Sequence, residues 1–202
     1  MPRTSDGRER LIEAGVELFS QRPYGSIGVA ELCSRAGVNK GSFYYFFASK
    51  EALALAVIDR HWTWQKGVWA GILDGPASLL DRLRGLFDAT AQMQVDAVTG
   101  TGWVAGCLFG NLALEVSSQN EPVRLRLQEI FDEQIAMISS RLASAVESGE
   151  LQSVTDVDAA AKAIVAQLEG LVLFAKVFND PSQLDALWQN SLALLGLTPA
   201  RA

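Results

Sequence analysis

Histidine and cysteine are nearly missing from this chain. One histidine, His61, and two cysteines, Cys33 and Cys107, stand among 202 residues. A protein-bound metal needs several such ligands at close spacing, so no metal site is expected, and His61 is read as a surface or packing imidazole. Two cysteines build no disulfide framework, and their scarcity fits a reducing cytoplasm. No apolar run reaches the length of a membrane span, and the N-terminus lacks the short apolar core of a signal peptide. Catalysis would need a nucleophile with its base, paired carboxylates or metal ligands, and none of these sets is present. Asp132 and Glu133 are neighbours that diverge around their helix. The stretch VTGTG, residues 98–102, is expected to be a loop, but it lacks the lysine and preceding strand of a phosphate-binding loop. Neither enzyme activity nor a cofactor is expected.

What the chain has is helix. Apolar residues make up 49% of it, enough for a sizeable core, and they recur at helical rather than strand spacing. The spacing predicts a helix from about Ser5 to Gln21, preceded by an arm with Arg3 and followed by Arg22-Pro23. A long helix follows from Ser49, then one from about Pro76 to Ala97, with Pro76 in its first turn. WVAGCLFGNLALEVSS comes next, then a helix from Glu121 to about Ser148 closed by Gly149. Thr155 or Asp156 caps a helix through Phe178, and Asp180-Pro181 opens the last one. The fold class is all-α, with about nine helices.

The net charge of −6 argues against a nucleic-acid partner until its distribution is considered. Residues 1–50 hold seven Lys/Arg and five Asp/Glu, a balance of +2; the remainder holds ten and eighteen, a balance of −8. A small basic head on an acidic body is the pattern expected if only the head meets DNA.

Residues 29–53, VAELCSRAGVNKGSFYYFFASKEAL, make that reading specific. Val29, Leu32, Cys33 and Ala36 form one helical face and Gly37 ends it. Val38 is expected to be buried in the turn, and a second helix opens near Lys40. Two short helices about a Gly-containing turn are a helix-turn-helix, whose second helix enters the DNA major groove. On that second helix Phe43 and Phe47 make the buried stripe. Lys40, Gly41, Ser42, Tyr44 and Tyr45 offer a cation, a bare backbone, a hydroxyl and two phenols on the other side. Ser49 then caps the next helix.

These residues, with the opening helix RERLIEAGVELFSQRPYGSIGVAEL, resemble the TetR-type transcriptional regulators, closely over the first quarter and more loosely beyond. The resemblance implies a DNA-binding domain over residues 1–50 and an effector-binding and dimerisation domain over 51–202. It places Lys40, Gly41, Ser42 and Tyr45 at the base edges and nearby backbone. Phosphates would be met by backbone N–H groups around Ser26, Gly28 and Val29, by the Tyr44 hydroxyl and by the Lys50 ammonium. Where many members have a polar-tipped residue this chain has Phe46, which can make no such hydrogen bond.

The resemblance also implies a homodimer that reads a palindrome-like double-stranded operator, most simply as a repressor. The last two helices carry more apolar positions than one inward face needs: Ala159, Ala160, Ala163, Ile164, Leu168, Leu171, Val172 and Ala175, then Leu184, Leu187, Trp188, Leu192 and Leu195; they would join as a four-helix bundle. The body would hold a small apolar or electrophilic effector. Its expected lining is Trp62, Trp69, Phe87, Met93, Trp103, Phe109, Phe131, Phe174 and Phe178, with Asn111 and Glu115 orienting a polar group. Cys107, near a helix start, is the candidate for reaction with electrophiles or oxidants. The alternative is a helical scaffold that binds protein and has no DNA role.

Overall fold

The computed structural model describes residues 4–197, with side chains from residue 6; Arg3 of the expected arm lies outside them. Nine α-helices, two 3-10 turns and no strand account for the described residues. In chain order the helices are α1 (Thr4–Gln21), α2 (Val29–Ala36), α3 (Lys40–Phe46), α4 (Lys50–Leu73) and α5 (Leu79–Thr101). They continue with α6 (Leu108–Val116), α7 (Glu121–Glu147), α8 (Val157–Phe178) and α9 (Ala186–Leu194). The 3-10 turns are Tyr24–Ser26 and Pro181–Asp185.

Local chemistry sets most boundaries. Gly37 ends α2 at φ 64°, in the left-handed region that favours glycine, and its N–H returns to the carbonyls of Cys33 and Ser34. The Asn39 side chain caps α3 by accepting from the Ser42 N–H at 2.8 Å, and Ser49 Oγ accepts from the Ala52 N–H at 3.1 Å. Asp156, not Thr155, caps α8 through the Ala159 N–H at 2.9 Å. Two expectations need correction. VTGTG is not a loop: α5 runs through Gly100, and the Gly102 N–H closes it by donating to the Val98 carbonyl at 2.7 Å. Pro76 lies outside the helix, since Ser78 is the cap of α5.

The chain packs as two compact units, Met1–Gln65 with Cys107–Glu129, and Lys66–Gly106 with Ile130–Ala202. In the first, α1 packs on α2, α3 and α6 around Leu11, Leu32, Phe43, Leu53 and Phe109, all fully buried. Gly15 lets α1 approach α4 closely: a Cβ there would fall 2.4 Å from Val57 Cγ2. Val38 is only half-buried, because Gly37 swings the chain outward before α3 begins. In the second unit α8 turns Ile164, Leu168, Val172 and Ala175 inward and packs on the 3-10 turn at Pro181–Asp185 and on α9. The segment between α5 and α6 is held to α8 by Asn179, which accepts from Val104 N–H at 2.8 Å and donates to Gly102 O at 3.0 Å.

Candidate functional site

α3 divides its side chains cleanly. Phe43 and Phe47 are buried and lean on each other, with ring centroids 6.1 Å apart. On the other side Lys40 and Gly41 are exposed, Ser42 is half-exposed, and Tyr44 and Tyr45 are 58% and 73% exposed. Each ring keeps an edge contact with a neighbouring phenylalanine, Tyr44 with Phe43 at 5.2 Å and Tyr45 with Phe46 at 5.0 Å between centroids, while most of its surface is left in water. Phe46 turns back against the start of α1, where a Cβ on Gly7 would meet its ring at 3.0 Å. The one position without a polar tip therefore braces the helix.

The entry to α2 is the second element of this surface. Gly28 is its N-cap in extended conformation, and the first donors inside the helix are the N–H groups of Glu31 and Leu32, both to the Gly28 carbonyl. The N–H groups of Val29 and Ala30 come before that ladder, as in every first helical turn, and face an exposed surface. Ser26 is exposed, but its hydroxyl donates to the Pro23 carbonyl at 2.7 Å, which shapes the turn.

That turn is gripped from a distance of some ninety residues in sequence. Glu115, in the last turn of α6, accepts from the N–H groups of Tyr24 at 2.7 Å and Gly25 at 2.5 Å. Lys50 donates to the carbonyls of Tyr24 and Ile27, both at 2.9 Å, and its ammonium lies 3.9 Å from the centre of the Tyr24 ring. Burial lowers the Lys50 pKa and the Glu115 carboxylate works against that shift. Burial, with Glu51 and Glu115 nearby, raises that of the Tyr24 phenol. Lys50, expected on a phosphate, thus has two of its three N–H groups engaged in holding the turn. Glu115, expected to orient a ligand, instead fixes the loop that presents α2.

His61 is a packing residue on α4, with ring centroids 5.3 Å from Phe109 and 5.4 Å from Trp64. Burial lowers its pKa from 6.5 to about 4. As pH falls the unfolded chain takes up this proton first. The stability held by the neutral ring is complete above about pH 6.5 and is lost towards pH 4, a loss of about 3 kcal/mol. Urea unfolding near pH 7.5 and near pH 4.5 is expected to show a smaller acid loss for His61→Phe than for the parent. Equal losses would mean that the native imidazole is already charged.

The expected effector residues separate into three groups. Trp62 and Phe109 are buried in the first unit with centroids 6.1 Å apart, and Trp69 and Phe87 are buried in the second. Phe131 and Asn111 are half-buried. Met93, Trp103, Phe174 and Phe178 are exposed, so they stand on the surface and not in an interior lining. Cys107 is half-buried at the N-cap of α6, where its Sγ accepts from the Gly110 N–H at 3.5 Å. On α8 the positions Ala159, Ala163, Ala166, Gly170, Leu173 and Val177, alternately four and three apart, are all exposed or half-buried. Of the positions expected at a dimer surface, Ile164, Leu168, Val172, Ala175, Leu184, Leu187 and Leu195 are buried within the chain's own second unit, whereas Ala159 is exposed and Ala160, Ala163, Leu171, Trp188 and Leu192 are half-buried.

Two family profiles match this architecture. Residues 11–57 match the bacterial regulatory proteins of the tetR family. Residues 80–190 match the tetracyclin repressor-like C-terminal domain, more than half of the chain. The chain belongs to the TetR family. It is a helix-turn-helix DNA-binding transcriptional regulator, similar to the transcriptional regulator AcuR of Cereibacter sphaeroides, with 33% identity covering 91% of this chain and 82% of that one. The transcriptional repressor NemR of Escherichia coli K12 is 31% identical over 71% of this chain and 70% of its own. The crystal structure of the reduced form of E. coli NemR superposes with a TM-score of 0.84 at 29% identity, covering 98% of each chain.

Within this TetR-family chain, Glu115, Asn179 and Lys50 are polar residues whose structural tasks sequence reading missed. Asn179 carried a signal, since asparagine is the side chain after glycine that best tolerates a left-handed helix end, and it closes α8 at φ 50°. Glu115 carried none beyond its charge.

Proposed function

We propose that this TetR-family protein is a homodimeric, ligand-responsive transcriptional repressor of the cytoplasm. Residues 1–50 would read a palindrome-like operator, and residues 51–202 would bind an effector and dimerise. The observation that carries the reading is the outward face of α3. Lys40, Gly41, Ser42, Tyr44 and Tyr45 are presented together, beside the first-turn N–H groups of α2. Lys40 and Tyr44 suit phosphates, Tyr45 and the bare Gly41 suit base edges, and Gly28 and Val29 suit a backbone phosphate. Repression is the activity named for NemR.

Dimerisation through α8 and α9 is supported by the exposed and half-buried heptad-like row from Ala159 to Val177, with Phe174 and Phe178 beside it. Its small residues would let two helices approach closely at one end, and its larger ones would interlock at the other. Effector binding would act by favouring the conformation with lower operator affinity. An apolar effector would lodge among interior aromatics such as Trp69 and Phe87, and an electrophile would meet the Cys107 sulfur at the N-cap of α6.

The test uses genomic fragments selected by the parent protein. Lys40→Ala with Tyr44→Phe is expected to weaken retardation of these fragments by about tenfold or more and to flatten its salt dependence, with the dimer intact. Retardation equal to the parent's would remove α3 as the reading helix. In the same assay Cys107→Ser should abolish release by N-ethylmaleimide, and normal release would exclude the thiol route.

A further inference from the structure

Along the second-unit part of α7, one row of side chains points inward: Ile130, Gln134, Ile138, Leu142 and Ala145, all buried. Four of the five are apolar. Gln134 is 0% exposed, and neither its carboxamide oxygen nor its carboxamide nitrogen has a hydrogen-bond partner. A carboxamide carries an acceptor and two donors, and leaving both ends unpaired in an apolar interior is unfavourable. Leucine or methionine would fill similar space without that cost.

The other buried glutamine of this unit behaves differently. Gln94 Oε1 accepts from the Gly106 N–H at 2.9 Å, and its Nε2 donates to the Gly106 carbonyl at 3.3 Å. Gln94 shapes the chain, whereas both carboxamide atoms of Gln134 are buried without a partner. A second observation limits what those atoms can meet. Among the described residues the buried polar side chains are Gln94, Gln134 and Ser191, and none of them carries charge. A charged ligand taken into this interior would find no buried counter-charge.

We propose that Gln134 is the polar recognition group of the effector site. Its ligand would be a neutral, largely apolar molecule presenting a donor and an acceptor side by side, as a carboxamide or lactam does. This rests on the reading of the body as effector-binding. The ligand N–H donates to Gln134 Oε1, and Gln134 Nε2–H donates to the ligand carbonyl. Ile130 and Ile138, one turn to either side, would flank the pair with apolar surface. A hydrocarbon of the same shape leaves the carboxamide unpaired, and an anion brings a charge the interior cannot answer.

The full-length protein is tested with benzamide, its charged isostere benzoate and its hydrocarbon isostere cumene, by tryptophan fluorescence and thermal midpoint. Benzamide is expected to bind and raise the midpoint, with benzoate and cumene weaker by about tenfold or more. Gln134→Leu and Gln134→Met are expected to unfold at or above the parent midpoint and to lose the preference for benzamide. The proposal is overturned if benzamide does not bind, if benzoate or cumene binds as well, or if the variants keep the preference. It is also overturned if both variants are clearly less stable, which would make Gln134 structural. The three-probe comparison on the parent stands even if a variant folds poorly. Benzamide binding without any change in DNA affinity would retain this site while removing the repressor reading.

Discussion

Leu173→Arg combined with Val177→Arg is expected to yield a folded monomer with little affinity for operator DNA. Both side chains are exposed in the single chain, at 42% and 67%, so their replacement leaves its interior untouched. In a dimer paired along α8 the same two positions would put four guanidinium groups into one apolar seam, where unpaired charge is strongly unfavourable. Light scattering after gel filtration would then report the 21.8 kDa of one chain in place of twice that mass. Operator affinity is expected to fall by a factor of about 10²–10⁴, since the second head no longer binds as part of the same molecule. An unchanged dimer mass would show that this row is not the interface, whatever happened to DNA binding.

Glu115→Ala comes next in size. The carboxylate accepts two backbone N–H groups from the turn ahead of α2 and stands close enough to Lys50 to oppose, in part, the lowering of its pKa by burial. Removing it leaves the part-buried Tyr24 donor without its acceptor and returns the exposed Gly25 donor to water, which is expected to lower stability by about 1–2 kcal/mol. The turn sets the position of Gly28 and Val29, so affinity for selected fragments is expected to drop about tenfold or more while the dimer persists. Glu115→Gln keeps an acceptor but not the charge and should fall between the two. Fluorescence anisotropy with unfolding curves separates the outcomes. Parent-like affinity in Glu115→Ala would make the clasp irrelevant to DNA reading.

Local signals carried the sequence reading well. Gly37, Ser49, Gly149 and Asp156 each act within one turn of themselves, so their chemistry is visible in a short window. The outward set on α3 was legible for the same reason: Phe43 and Phe47 fix the inner face, and the rest of a short helix must face out. VTGTG misled because both glycines were read as one break, whereas Gly100 stays within α5 and only Gly102, at φ 82°, ends it. Helical periodicity on α8 marked apolar positions without saying which face the chain itself would cover. Ile164 and Leu168 went to the core, and Leu173 and Phe174 were left outside. The structural tasks of Lys50 and Glu115 were not legible, for a different reason. Their partners are backbone groups, which one residue type does not advertise, and Glu115 lies on the far side of two long helices in sequence.

The clasp also bears on how such regulators are recombined. A chimera that joins this reading head to another sensor at residue 50 would carry Tyr24, Gly25 and Lys50 but leave residue 115 behind with the discarded part. The transplanted head would be complete in its recognition helix yet short of one acceptor for the turn before α2. A working graft has to take the carboxylate along, or find an acidic residue in the host at the end of the helix that corresponds to α6.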